Sequence, residues 1–386
     1  MAETTLHKSQ SSVAIDKMNQ MRPAYLEINL KAFANNFNKI RGLLDKSSSL
    51  MAVVKANAYG HGLVPIAIAA EKCGADFLGV ALTEEGEQLK RAGIKTPIVV
   101  LYPDLPERAA RLVKADLMAT ACSWEYLESL NAAAQTFGRI VKVFLKLESG
   151  MARYGLPVSD LQKLAEAAGQ LPSLKIIGIS TNLADSSAHG SKLTSNQFSE
   201  FAAYLTNSSE NHLDYRGIEN SGGLLYNHHR EHNLVRAGIL LYGISPNALP
   251  VEGFQPVMSL KSLIIQIKKW PAGQPIGYGG HFNPKRDSLI ATIPVGYADG
   301  YPWSLSNKGV ALLHGKRVPV VGRVCMDALM LDATDVPEAK SGDEVVLLGQ
   351  QGDQVIGAEE LAKAAGSFSY ELISRFTDRL PRIYVE

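Results

Sequence analysis

The chain of 386 residues is too long for one ordinary domain, and its 39 Lys and Arg against 38 Asp and Glu leave a net charge of +1. Without a basic patch or tail, nucleic acid and anionic membranes are poor candidates as partners. The three cysteines, Cys73, Cys122 and Cys325, have no CxxC spacing and point to a reducing cytoplasm rather than a disulfide framework or a zinc site.

In chain order, residues 1–21 are polar, lack an apolar run and are expected to form a disordered leader rather than a signal peptide. No later apolar stretch is long enough to span a bilayer. Leu30, Phe33, Phe37, Ile40 and Leu44 recur at helical spacing. A strand-like run, Leu50–Val54, follows, then a helix around Ile66–Cys73 that Gly74 stops. The alternation continues with strands at Phe77–Leu82, Pro97–Tyr102, Asp116–Ala121, Ile140–Leu147 and Leu174–Thr181, and with helices at Glu84–Gly93, Leu105–Val113 and from Ser123. Weaker strands are expected near Gly217–Asn220 and Val235–Leu241. About eight strands, most of them followed by a helix, over ~200–250 residues predict an α/β fold, a (β/α)8 TIM-like barrel. Residues 22–252 are assigned to it. After Pro250 the texture changes to strands joined by tight turns, and only Ala358–Ala365 reads as a helix. Residues 253–386 are therefore expected to form a mainly-β domain, joined by the strand near 24–29.

The stretch VVKANAYGHG, Val53–Gly62, sets a lysine at the predicted carboxyl end of the first barrel strand, the face on which barrel enzymes carry their chemistry. A lysine held near apolar residues is costly unless it is used. Lys55 is either a strand-end lysine that snorkels to water or a nucleophilic, Schiff-base-forming amine. The partner of such an amine would be pyridoxal phosphate or, as in an aldolase, a carbonyl substrate. No GxGxxG or Walker sequence occurs, which argues against a dinucleotide or a nucleoside triphosphate.

AVVKANAYGHG resembles the cofactor-lysine motif of the alanine racemases, pyridoxal 5'-phosphate (PLP) enzymes with a (β/α)8 barrel and a C-terminal β domain. The likeness begins earlier, at EINLKAFANNF. It runs on in order through LKLESGMARYGL, NSGG, VRAGILLYG, GYGG, TIPVGYADGY, VVGRVCMDALMLD, GDEVVLLG and SYELISRFTDRLPRIY, and so covers Arg22 to the end. Alone, a GYG is uninformative; the ordered set is very specific.

The resemblance implies that Lys55 holds PLP covalently and is one of two proton-transfer bases. Tyr59 would touch the cofactor phosphate, its plainer reading being a packed aromatic, and Asn220, Ser221, Gly238 and Ile239 would complete the phosphate end. Arg236 would face the pyridine nitrogen. An arginine stays charged and only donates, so that nitrogen would stay unprotonated and transamination would be discouraged. Arg153 would lie near the cofactor phenolate and the substrate carboxylate. Tyr278, supplied by the other subunit of a head-to-tail homodimer, would be the second base, on the opposite face. Met326, also from the partner chain, would hold the substrate carboxylate through its backbone N–H, and Tyr297 would line the substrate entrance. Lys146 matches a lysine that is often carbamylated; the alternative is an unmodified inward lysine paired with Glu148 or an aspartate. Asp327 is as open to a salt-bridged structural role as to a catalytic one.

Three positions depart from the commoner pattern. Asn182, in STNLADSS, stands where many members have a histidine, and Gly217, in RGIENSGG, where many have a second. Asp378 stands where some carry a phosphate-contacting tyrosine. Asn182 donates and accepts but cannot relay a proton as imidazole does. Gly217 offers no side chain, and Asp378 is expected to point away from a phosphate. The expected activity is interconversion of L- and D-alanine in the cytoplasm, for peptidoglycan precursors or for alanine catabolism. Serine or a larger amino acid is the alternative substrate. A non-catalytic PLP-homeostasis protein, a barrel decarboxylase of basic amino acids and a PLP-free aldolase are the alternative functions. The presence of Tyr278 and Cys325–Met326–Asp327 speaks against the first, VVGRVCMD against the second, and the third predicts a colourless protein.

Overall fold

The computed structural model describes residues 22–187, 190–207, 213–226, 232–247 and 251–386. The leader expected over 1–21 lies outside the described residues. The chain divides into two compact units, Leu30–Gln255 and a second in which the residues before Leu30 join Pro256–Glu386.

β1 (Ala24–Asn29) belongs to the second unit. The first unit opens with α1 (Leu30–Leu43), which buries Phe33, Phe37 and Ile40, the stripe its spacing predicts. Eight strands follow: β2 (Ser49–Val53), β3 (Phe77–Val80), β4 (Ile98–Val100), β5 (Ala119–Ala121), β6 (Val141–Lys146), β7 (Leu174–Ser180), β8 (Tyr215–Gly217) and β9 (Leu234–Ala237). Between them run α2 (Leu63–Lys72), α3 (Thr83–Arg91), α4 (Ala109–Lys114), α5 (Trp124–Thr136), α6 (Val158–Ala168), α7 (Lys192–Asn207) and α8 (Ser221–Tyr226). Ser123 caps α5, its Oγ accepting from the Tyr126 N–H at 3.3 Å.

The strands pair in parallel in the orders β4-β3-β2-β9 and β5-β6-β7-β8. The two sheets meet at both edges. Val100 N–H donates to Met118 O at 2.9 Å and Asn233 N–H to Arg216 O at 3.2 Å, with parallel bridges at Val99–Met118 and Asn220–Arg236. The result is a closed parallel barrel, as the β-α alternation predicts. Its interior is filled by Met51, Phe77, Val99, Phe144, Ile177 and Leu234. Gly178 makes room for one of them: a Cβ there would stand 2.6 Å from the Phe144 ring.

The last two strands lie earlier than their patterns suggest. β8 ends at Gly217, not Asn220, because the Asn220 Oδ1 accepts from the N–H groups of Gly222 and Gly223, at 3.1 and 2.9 Å, and starts α8. β9 ends at Ala237 and not Leu241. Gly238 breaks the strand (φ −118°, ψ −98°), and Ile239–Tyr242 form a buried 3-10 turn. A short apolar run looks the same in either state.

The second unit is mainly antiparallel. β1 lies between Met258–Leu263, antiparallel, and Arg382–Val385, parallel. Ile276, Ile290 and Val321 form one of its apolar clusters. Beside α9 (Ala358–Ala365) it contains a helix the sequence does not announce, α10 (Ser369–Ser374), too short for a periodic signal. Among the described residues, no helix is long and apolar enough to cross a membrane.

Candidate active site

The carboxyl ends of the barrel strands bring together Lys55 after β2, Lys146 at the end of β6, Thr181 and Asn182 after β7, Asn220 and Ser221 after β8, and Arg236 and Gly238 at the end of β9. Lys55 opens a single turn, and the four residues after it, Ala56, Asn57, Ala58 and Tyr59, are all left-handed, with φ of 53°, 54°, 54° and 53°. Each such non-glycine residue costs about 1–2 kcal/mol. Specific bonds offset that cost. Glu85 Oε1 accepts from the Ala56 N–H at 2.6 Å, while its Oε2 accepts from Ala81 and Leu82. Asn57 Oδ1 accepts from Leu63 N–H at 2.8 Å. The His61 Nδ1 lies 3.0 Å from the carbonyls of Ala58 and Tyr59, and its ring stacks 4.4 Å from Tyr242, whose hydroxyl donates to Val53 O. The crowding of Asn, Tyr, His and glycines after Lys55 thus holds a strained turn that presents the lysine.

Tyr59 reaches the end of β9, where a Cβ at Gly238 would stand 2.5 Å from its hydroxyl. Ser221 Oγ accepts from the Gly238 N–H at 3.0 Å, and Ile239 follows with its side chain buried. Tyr59, Ser221, Gly238 and Ile239 therefore converge, while the side-chain oxygen of Asn220 caps α8. Arg236 is 8% exposed. Its Nη2 donates to Thr181 O and to Ile218 O, and its Nη1 to Asn182 Oδ1 at 3.4 Å. Its Nε is buried without a partner among the described residues. Burial, with the charge of Arg153 next, pulls the Arg236 guanidinium down to about 10, which leaves it charged at neutral pH.

Lys146, 4% exposed, donates to Asn182 Oδ1 at 2.5 Å. Neither Glu148 nor an aspartate pairs with it. The Glu148 carboxylate accepts instead from the N–H groups of Gly150, Met151 and Arg153, at 2.6, 2.5 and 3.3 Å, and shapes the loop that carries Arg153. Burial, then the charges of Arg236 and Arg153, hold the Lys146 amine well below the usual lysine range. Asn182 accepts from two cationic side chains at once. At Gly217 a Cβ would stand 3.3 Å from Leu234 of the barrel core, so the position has little room for a ring.

No motif marks Tyr102, which follows β4. Lys55 Nζ donates to its hydroxyl at 2.9 Å, and Arg153 Cζ lies 5.5 Å from its ring centroid. Glu85 is a second unmarked contributor. Both are distant in sequence from the residues they contact, and the only local signal is a polar residue near a barrel strand's carboxyl end.

On the second unit, Tyr278 stands between glycines with positive φ, Gly277 at 73° and Gly279 at 72°, in a turn that leaves it 72% exposed. Met326 and Tyr297 are exposed too. Their segments are clasped by the Tyr297 and Ala298 N–H groups, which donate to Cys325 O and Met326 O at 3.0 Å. Asp327 accepts from Arg379 at 2.5 Å, and Arg379 also bridges to buried Asp299, itself held by Arg22. This is the salt-bridged arrangement. The Asp378 side chain is 94% exposed and pairs with Arg382.

A barrel whose strand ends carry a lysine on a strained turn and three further cations, followed by an antiparallel β unit, places the chain among lysine-centred barrel enzymes with a separate β domain. Residues 28–246 match the family described as alanine racemase, N-terminal domain, and 257–384 match alanine racemase, C-terminal domain. The alanine racemase of Thermodesulfovibrio yellowstonii is 42% identical over 368 residues, 93% of this chain and 97% of the relative. The solved alanine racemase of Clostridium difficile 630 superposes with a TM-score of 0.88 at 32% identity, covering 94% of this chain and 96% of the other. That of Bartonella henselae, described with covalently bound pyridoxal phosphate, has a TM-score of 0.85 at 28% identity, covering 94% and 99%. The chain belongs to the alanine racemase family, whose reaction is the interconversion of L- and D-alanine.

Proposed function

We propose that this chain interconverts L- and D-alanine with PLP held on Lys55, using Lys55 and the partner subunit's Tyr278 as the two proton carriers. The observation that carries the reading is the buried Nε of Arg236, which has no acceptor among the described residues. A pyridine nitrogen is an acceptor of the right kind. Tyr59, Ser221, Gly238 and Ile239 suit the phosphate, and Arg153 suits the phenolate oxygen and the substrate carboxylate. Glu85 and Glu148 are both engaged by backbone N–H groups, so the cations here favour an anionic ligand. PLP would supply delocalisation for the electron pair left when the α-proton is removed. Lys55 Nζ would take or return that proton on one face and the partner's Tyr278 hydroxyl on the other. The exposed Tyr278, Met326 and Tyr297 support a homodimer that covers them. The three free thiols support a cytoplasmic setting.

Carbamylation of Lys146 fits the same reading. A buried amine held below its usual range is neutral more often, and the neutral amine adds to carbon dioxide, losing a proton and gaining a carboxylate between Arg153 and Arg236. Activity is expected to fall in buffer freed of carbon dioxide and to return with bicarbonate, while Lys146→Ala ignores both. Indifference of the wild type would show that the amine keeps Asn182 as its partner.

The reading itself is tested with L-alanine in deuterated water. Loss of optical rotation with deuterium entering at the α-carbon is expected. Retained rotation with release of carbon dioxide would replace racemisation by decarboxylation.

A further inference from the structure

We propose that Tyr102 is a proton partner of Lys55, a positioning residue that takes the proton of the lysine ammonium and returns it, so that the lysine face of the site has two proton carriers rather than one. The proposal rests on the racemase reading above and deepens it. None of the residues implied by the family resemblance includes Tyr102.

Three contacts define its place. The Lys55 ammonium donates to the Tyr102 hydroxyl at 2.9 Å and also lies 4.9 Å from the ring centroid. The Arg153 guanidinium lies 5.5 Å from the same centroid. The Tyr154 ring packs at 5.0 Å between centroids, tilted by 31°. Tyr102 thus stands between two cations, one of them the catalytic amine, with its ring held by a neighbour.

The charged groups acting on Tyr102 are Lys55 from the end of β2, Arg153 from the loop after β6 and Glu85 from α3. Burial raises the phenol, and the Lys55 hydrogen bond and charge, with Arg153, outweigh it, so the net direction is downward. Glu85 opposes this, but its carboxylate accepts from the N–H groups of Ala56, Ala81 and Leu82.

The chemistry follows from what a lysine base needs. To remove an α-proton it must carry a lone pair, and an ammonium has none. Transfer of one proton to the adjacent phenolate breaks an N–H bond and forms an O–H bond, giving a neutral amine and a neutral phenol. No other reactant is required, and the reverse transfer recharges the amine. A ring that only packed under Arg153 and Lys55 would keep the cation–π contacts but would be indifferent to loss of its hydroxyl.

Tyr102→Phe in the full-length chain separates these roles, because it keeps the ring. Two measurements decide. The first does not depend on turnover: phenolate absorbance is titrated in the cofactor-free chain, wild type minus Tyr102→Phe. A single phenol ionising below an ordinary tyrosine is expected, moving upward in a Lys55→Met background. A phenol at or above the ordinary range, or one unmoved by Lys55→Met, overturns the proposal. The second uses the cofactor-loaded enzyme with α-deuterated D- and L-alanine. The equilibrium constant of racemisation is unity, so kcat/KM must fall equally in both directions, by about 10-fold, less than the 10²–10⁴ of a direct acid–base group. The primary isotope effect is expected to rise for only one enantiomer, the one whose proton Lys55 removes. Isotope effects that stay unchanged, or that rise together, overturn it. If only Tyr102→Leu is impaired and Tyr102→Phe matches wild type, Tyr102 is a packing residue and the proposal fails. Failure of the racemase reading looks different: the wild type itself would not racemise alanine.

Discussion

Lys55→Ala is expected to abolish racemisation, with a loss of about 10⁴-fold, the upper end for a positioned acid–base group, and to remove any absorption band of a lysine-bound cofactor. The protein should stay folded. Lys55 is partly exposed at a strand end, and its amine bonds to Tyr102 rather than to the core. Its removal should change stability by no more than about 0.5 kcal/mol. The strained turn remains, because Glu85, Asn57 and His61 hold it without help from the lysine side chain. Activity assays, absorbance and thermal unfolding on one preparation check all three statements. A variant that retained both the band and turnover would remove Lys55 from the centre of the chemistry.

Tyr278→Phe should lower activity by about 10²–10⁴-fold without affecting folding, since the change deletes one oxygen from a side chain that is 72% exposed. The informative step is mixing. Lys55→Ala and Tyr278→Phe chains, each inactive alone, should regain about a quarter of wild-type activity when dissociated and reassociated. Half of randomly formed dimers are mixed, and each mixed dimer contains one intact site of two. Active sites built within single chains would give no recovery. Glycines on both sides of Tyr278 explain why it can be displayed so openly: at φ near 73° a side chain would strain the turn, and the glycines carry that conformation freely.

The residues differ in how they could be found. Lys55, Arg153, Arg236 and Tyr278 lie in contiguous motifs, and a motif survives in one dimension. Tyr102 and Glu85 do not, since each contacts the lysine segment from a different strand or helix, 47 and 29 residues away. The left-handed path of Ala56–Tyr59 was equally hidden: alanine and tyrosine rarely adopt it, and only the flanking Gly60 and Gly62 hint at a turn. The pairing expected for Lys146 failed for a related reason. Glu148 is adjacent in sequence, but the loop backbone captures its carboxylate, and the amine turns to Asn182, which β7 brings alongside.

By itself the sequence determined the barrel, the β domain and the family, because β-α periodicity and ordered motifs are local properties that burial imposes on every element. Tertiary structure alone decided which charges share the barrel mouth, which carboxylates are taken by backbone donors, and that a tyrosine meets Lys55. Those facts depend on where strand ends converge around a closed barrel, and no spacing along the chain encodes that convergence.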